Sequence, residues 1–180
     1  MYGMIHRGIR QMVIDARGEE AWQALEREQG IGPHDMITAL VHDDELTVRL
    51  LTAAAERLGL SFDDCLKAFG RYWIRFAEAG PFSAIMDFTG RDIASFITNL
   101  DRMHQAVVAA LPEARVPSFT LVRNEPGNLL VQYRSDRTGL EAFVVGLLYG
   151  LMARFGIDGK VTQVPSSNNT AEFVMLFDPG

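Results

Sequence analysis

With 180 residues, 48% of them hydrophobic, the chain is long and apolar enough to bury the core of one domain, which argues against disorder. A net charge of -6 with no Lys/Arg run argues against nucleic acid or an anionic membrane surface as partner. One cysteine, Cys65, rules out an internal disulfide and fits a reducing compartment; with no signal peptide and no apolar run of roughly 18 residues, the sequence reads as cytoplasmic.

Ile5, Ile9, Met12 and Val13 recur at helical spacing and predict a first helix over 2–16, stopped by Gly18. Ala21, Trp22 and Leu25 mark a second, ending before Gly30-Ile31-Gly32-Pro33. A loop is predicted from there to Asp43-Asp44, whose acids suit a helix N-terminus. Leu46, Leu50, Leu51, Ala54 and Leu58 form the next amphipathic helix, closed by Gly59. Ser61, with Asp64 three residues on, caps a helix carrying Phe69, Trp73 and Phe76, which Gly80-Pro81 ends. A short helix is predicted over 82–86.

Residues 87–111 predict a long helix that Thr89 or Asp92 can cap and Pro112 stops. Its apolar stripe runs through Ile93, Phe96, Ile97, Leu100, Val107, Val108 and Leu111, and His104 lies in that stripe. From Val116 the period changes to two. Phe119, Leu121 and Arg123 give a strand, Glu125-Pro126-Gly127-Asn128 a turn, and residues 129–135 its antiparallel partner. A last helix is predicted over 139–155. Residues 161–165, the turn Ser166-Ser167-Asn168-Asn169-Thr170, and residues 171–177 read as a closing hairpin. Helices first and antiparallel sheet second define an α+β class.

Two features carry chemistry. The first is Tyr133-Arg134-Ser135-Asp136-Arg137. In an extended chain Tyr133, Ser135 and Arg137 share one face over roughly 13 Å, at about 3.3 Å per residue. A guanidinium fork beside two hydroxyls suits a carboxylate or phosphate; a solvated strand end before a turn is the plainer reading. The second is His104. A histidine in an apolar stripe can be a satisfied core residue, but imidazole is also an axial ligand of haem iron, and a porphyrin needs an apolar cavity with cationic and hydroxylic donors at its rim. Other chemistry is poorly supported. There is no zinc spacing, no phosphate loop, no nucleophile elbow around Ser135, and no basic neighbour fixed beside Cys65. His6, His34 and His42 read as surface residues in polar or loop contexts.

These features, with Met1-Tyr2-Gly3, Ala68-Phe69-Gly70-Arg71-Tyr72-Trp73, Asn99-Leu100-Asp101-Arg102-Met103-His104, Pro117-Ser118-Phe119 and Gly146-Leu147-Leu148-Tyr149-Gly150, resemble the haem nitric oxide/oxygen-binding (H-NOX) domain family, related to the haem domain of soluble guanylate cyclase. The resemblance covers essentially the whole chain. It implies one domain over 1–180, with a distal helical part over 1–60 and a proximal part over 61–180 that holds the ligand helix and a four-stranded antiparallel sheet, the haem buried between. It implies haem b, held non-covalently because there is no C-x-x-C-H motif. His104 is then the iron ligand, Tyr133, Ser135 and Arg137 hold the propionates, and Pro117 packs against the porphyrin. Met1, Ile5, Ile9, Trp73, Ala142, Phe143 and Val144 cover the distal face, although Trp73 and Phe143 also read as ordinary core.

Some family members carry a tyrosine five residues after the arginine of the row, where this chain has Ala142, and some carry a cysteine-bound zinc, for which no cysteine follows Cys65. The resemblance therefore implies a sensor of nitric oxide and carbon monoxide, not an enzyme, with Tyr2, Tyr72 and Trp73 as open candidates for a distal hydrogen-bond donor. It is expected to act in trans on a histidine kinase or cyclic-di-GMP enzyme, because the chain ends at Gly180. An oxygen-binding sensor, a peroxidase-like haem enzyme and a haem-free anion-binding module are the alternatives.

Overall fold

The computed structural model describes residues 1–80, 82–165 and 170–179; the expected breaker Pro81 and the turn residues Ser166, Ser167, Asn168 and Asn169 lie outside the described residues. Helices α1 (Gly3–Arg17), α2 (Glu19–Gln29), α3 (Asp44–Leu58), α4 (Phe62–Ala79), α5 (Ser83–Thr89) and α6 (Ile93–Ala110) precede strands β1 (Ser118–Glu125) and β2 (Asn128–Arg134). Helix α7 (Glu141–Arg154) and strands β3 (Gly159–Val164) and β4 (Ala171–Phe177) follow. The class is α+β, as expected. None of the described helices is long and apolar enough to cross a membrane.

Local chemistry sets the ends. The Ser61 hydroxyl accepts the Asp64 N–H at 3.1 Å, and the Asp92 carboxylate accepts the Ser95 N–H at 2.8 Å, so both helices start at side-chain caps. Asp92, not Thr89, caps the long helix. Thr89 instead ends α5, its hydroxyl donating to the Ile85 carbonyl at 2.7 Å. The short helix therefore runs three residues beyond the expected end, and the long one starts six residues after Asp87. Gly90 separates them where a Cβ would collide with the backbone of Phe96. The loop expected before Asp43 holds a 3-10 turn over Pro33–Met36, in which Asp35 accepts the Gly32 N–H at 2.9 Å.

The sheet is antiparallel in the order β1-β2-β4-β3. Its register places Phe119 opposite Tyr133, and Val131 opposite Phe173. Those side chains and Leu129, Met175 and Val161 are buried on one face, as period two requires. A bulge between Leu121 and Arg123 breaks that period, so Arg123 does not continue the inward set and Val122 is exposed.

Two apolar cores result. One gathers Ile9, Met12, Trp22, Leu25, Leu50 and Phe69 from the first four helices. The other gathers Ile74, Phe96, Ile97 and Leu148 with the inward face of the sheet. Helix α4 contributes to both, Cys65, Leu66 and Phe69 to the first and Ile74 and Ala77 to the second. Helix α7 lies against α4 at unusually close range. A Cβ on Gly70 would strike the Phe143 carbonyl, and one on Gly146 the Lys67 carbonyl, so only glycine lets the two backbones touch there.

Candidate functional site

Between the two cores lies an apolar cavity bounded by α6, α4, α7, the first turn of α1 and the segment around Pro117. Asp101 and His104 sit one turn apart on α6 and reach across to the same stretch of chain. The Asp101 carboxylate accepts the Ser118 hydroxyl at 2.6 Å and the Phe119 N–H at 2.8 Å. His104 Nδ1 lies 2.9 Å from the Pro117 carbonyl oxygen. A carbonyl can only accept, so Nδ1 carries the proton and the Nε2 lone pair is left free. Burial pulls the His104 pKa below its ordinary value, against the smaller opposing effects of that hydrogen bond and of Asp101. The imidazole is therefore neutral at pH 7. A neutral ring whose second nitrogen is tied to a carbonyl is the form in which histidine ligates metal.

The anion row is placed differently from the extended array expected. β2 ends at Arg134, and the Ser135 hydroxyl accepts the Arg137 N–H at 3.1 Å, curling the chain just past the strand. Tyr133 stays buried on the strand. Arg137 Nε donates to Asp44 at 2.8 Å and Nη1 to the Arg115 carbonyl at 2.8 Å. The same Asp44 carboxylate accepts from the Met1 ammonium at 2.9 Å. Partial burial raises the Asp44 pKa, but the hydrogen bonds from Arg137 and Met1 together outweigh it and the carboxyl titrates below its ordinary value. Asp44, Arg115 and Asp101 were missed from the sequence. An acid one turn before His104 was the only available signal for Asp101; nothing local marks the other two.

His104, Pro117, Tyr133, Ser135, Arg137, Met1, Ile5, Trp73, Phe143 and Val144 all line the cavity. Ile9 and Ala142 do not. Only the first turn of α1 reaches the cavity, and Ile9, a turn further on, is wholly buried in the N-terminal core. Ala142 packs toward that same core, about 100° around α7 from Phe143. The α7 side chains that do form the wall are Phe143, Val144, Leu147, Leu148 and Leu151, and Phe143 stacks on Phe69 with ring centroids 5.3 Å apart. Tyr2 also lines the wall. Tyr72 does not, and its phenol donates to Asp15 at 2.6 Å.

Two of the three other histidines are corrected as well. His6 is wholly buried, with Nδ1 on the Asp35 carbonyl at 2.8 Å and Nε2 on the Thr47 hydroxyl at 2.9 Å. The His42 side chain is also largely buried, its ring 5.1 Å from that of His6. His34 is exposed, as expected.

The donor set fits a metal already held by a macrocycle. Among the described residues no three His, Cys, Asp or Glu side chains group to hold a bare ion, whereas His104 offers one free nitrogen facing apolar walls, with cationic and hydroxylic groups at one rim. The volume is about 260 Å³, just below the roughly 300–1,000 Å³ usual for small-molecule sites. Met1, Met4, Met86 and Met103 are in the wall and can re-pack around a larger occupant. The thiol of Cys65 is buried in the N-terminal core, away from the cavity.

Known proteins bear on this site. The haem-NO-binding family pattern matches residues 2–163. Soluble guanylate cyclase 89Da of Drosophila melanogaster is 25% identical over 170 residues, covering 94% of this chain and 26% of its own length. The chain thus spans about a quarter of the length of the curated relatives it first matches. An H-NOX protein from S. oneidensis, solved in its Fe(II)NO state, superposes with a TM-score of 0.85 at 19% identity, covering 99% of each chain. An oxygen-binding H-NOX domain related to soluble guanylate cyclases, solved as its oxygen complex, superposes with a TM-score of 0.79 at 19% identity, covering 98% of this chain and 95% of its own. The match along nearly the whole chain identifies it as a member of the haem-NO-binding (H-NOX) family, whose domain binds non-covalent haem and serves as a gas sensor rather than a catalyst.

Proposed function

We propose that this domain is a cytoplasmic sensor of nitric oxide, also taking carbon monoxide, that acts on a signalling protein in trans, either a histidine kinase or a cyclic-di-GMP enzyme. The observation that carries the reading is the pairing of a free His104 Nε2 with an α7 wall made only of Phe143, Val144, Leu147, Leu148 and Leu151. Haem, when bound, supplies a ferrous site for diatomic gases. The chain's residues do the rest. His104 would hold the iron through Nε2, and the Pro117 carbonyl fixes the ring's tautomer. Tyr133, Ser135 and Arg137 would hold its propionates. Arg137 keeps Nη2 for this use, since Nε and Nη1 are already engaged. Pro117 would pack on the porphyrin, and the cavity-lining Met1, Ile5, Trp73, Phe143 and Val144 would keep water from its gas-binding face. A peroxidase-like activity needs acid and base groups beside the bound ligand, and α7 offers none.

The oxygen-sensing reading has one observation in its favour: Tyr2 and Trp73 are in the wall and carry donors, while Tyr72 is outside it. Absorption spectra of the ferrous protein under argon, air and nitric oxide separate the two. We expect a nitrosyl spectrum and none persisting for oxygen; a lasting oxy spectrum in air would refute the selectivity. His104→Ala should lose the Soret band and regain it with imidazole.

A further inference from the structure

A second concavity lies on the far side of α4 from the cavity. It is an open groove of about 1180 Å³ between the last turn of α1, the residues after α3, the outer face of α4 and the end of α7. Its floor includes Met12, Ala16, Leu58, Leu60 and Ala68, and Leu60 is 40% exposed, so apolar surface is within reach of a visitor. Its charged groups are four arginines, Arg17, Arg71, Arg75 and Arg154, and two acids, Asp15 and Glu78.

The two signs are not equally committed. Asp15 already takes hydrogen bonds from Tyr72 at 2.6 Å and Gln11 at 2.8 Å, and Glu78 is bound by Arg154. Arg154 also holds Asp87 at 2.6 Å. The other three arginines form no salt bridge among the described residues, although Arg75 is near enough to help lower the Asp15 pKa. Arg17 donates to the Leu58 carbonyl at 3.3 Å, Arg71 lies 4.3 Å over the Tyr149 ring, and Arg75 lies 5.3 Å from the Tyr72 ring. All three are exposed. On a chain of net charge -6, a groove in which four arginines meet two acids that are already hydrogen-bonded is a local reversal of sign.

We propose that this groove docks an acidic amphipathic segment of a partner protein. Arg71 and Arg75 stand one turn apart, about 6 Å along α4, which matches carboxylates one turn apart on a visiting helix, with the apolar floor receiving the side chains between them. A nucleic acid meets repulsion from the rest of this acidic chain, and a flat membrane cannot reach a recessed floor. α4 carries Arg71, Tyr72, Arg75 and Glu78 into the groove, and Trp73, Ile74 and Ala77 into the cavity. The docking claim stands on the groove alone, so its test and that of the haem reading fail separately.

The test is fluorescence anisotropy of a fluorescein-labelled helical peptide, with glutamates one turn apart beside a leucine stripe, titrated with the full chain. We expect saturable binding that weakens with salt and falls at least about tenfold in Arg71→Glu/Arg75→Glu, with circular dichroism checking that the variant folds. A peptide with lysine in place of glutamate should prefer that variant over the unmodified chain. If the double variant does not fold, Arg71→Gln serves, with an expected loss of about threefold. Equal binding of the glutamate peptide to chain and variant, equal binding of both peptides to the unmodified chain, or binding to phosphatidylserine vesicles with none to the peptide would each overturn the proposal.

Discussion

Whether a side chain on α7 can touch a gas in the cavity depends on angle around the helix. Phe143 packs on the N-terminal core and is also in the wall; Ala142, one residue earlier, packs on that core and is not in the wall. A phenol at 143 would therefore stand in the cavity and one at 142 would not. A donor beside bound oxygen is worth roughly 1.5–3 kcal/mol when the partner carries charge, or about one to two decades in affinity. Phe143→Tyr should slow oxygen dissociation by about tenfold to a hundredfold in stopped-flow traces, and Ala142→Tyr should not; the reverse order would restore position 142 to the wall. His6 supplies a second residue-scale prediction. Burial is the main cause of its lowered pKa, so the unfolded chain binds the proton more readily. Stability is then fully present above about pH 6.5 and declines as pH falls toward the folded value. Replacing His6 with Gln should flatten urea-derived stability against pH in that window by at most about 1.4 kcal/mol per pH unit; an unchanged slope would contradict it.

The helix pair α4 and α7 fixes where those side chains stand. Gly70 and Gly146 let the backbones meet, and a Cβ at either has only main chain in front of it. Main chain cannot swing away as a side-chain tip can. Gly146→Ala should therefore cost about 1–3 kcal/mol by overpacking, against a helix-propensity gain of up to about 1 kcal/mol, for a net loss read as a lower denaturation midpoint. Because α7 carries Phe143 and Leu147 into the cavity, faster haem transfer to an acceptor protein should accompany it. A midpoint equal to or above that of the unmodified chain would mean that α7 shifts without penalty.

At the scale of the molecule, an ionic link joins the helical half to the segment after β2. Asp44 begins α3 in the helical half and receives both Met1 and Arg137, while Arg137 follows the strand that carries Tyr133. Arg137→Ala removes a charge-assisted contact worth roughly 1.5–3 kcal/mol, against about 1 kcal/mol for one neutral hydroxyl contact. It should weaken haem retention more than Ser135→Ala, as measured by transfer to apomyoglobin, and it should also lower thermal stability because Asp44 loses a partner. Equal haem loss in the two variants would count against the assigned roles. The lowered Asp44 pKa adds a pH signature. Its contribution is present above about pH 3.9 and is lost as pH falls through the folded value, a loss that Asp44→Asn should remove.

The helices and the hairpin were legible in the sequence, because each rests on short-range pattern: a period of three to four, a period of two, a cap, a spacing; the same patterns singled out His104 and the Tyr133, Ser135 and Arg137 row, which line one cavity. Even the start of α6 needed only the Asp92 side chain, once Thr89 had ended the helix before it. What the sequence could not decide was anything set by distant chain meeting distant chain. His6 reads as polar and exposed until Asp35 and Thr47 close on both of its ring nitrogens. Counting five residues past Arg137 gives Ala142, but the turn at Ser135 and the glycine-to-backbone fit of α7 on α4 set the rotation that turns Phe143 inward. The tautomer of His104 depends on a carbonyl thirteen residues away, and the state of Arg137 on a carboxylate ninety-three residues away. Periodicity determines which face of an element is buried; only packing determines what that face is buried against.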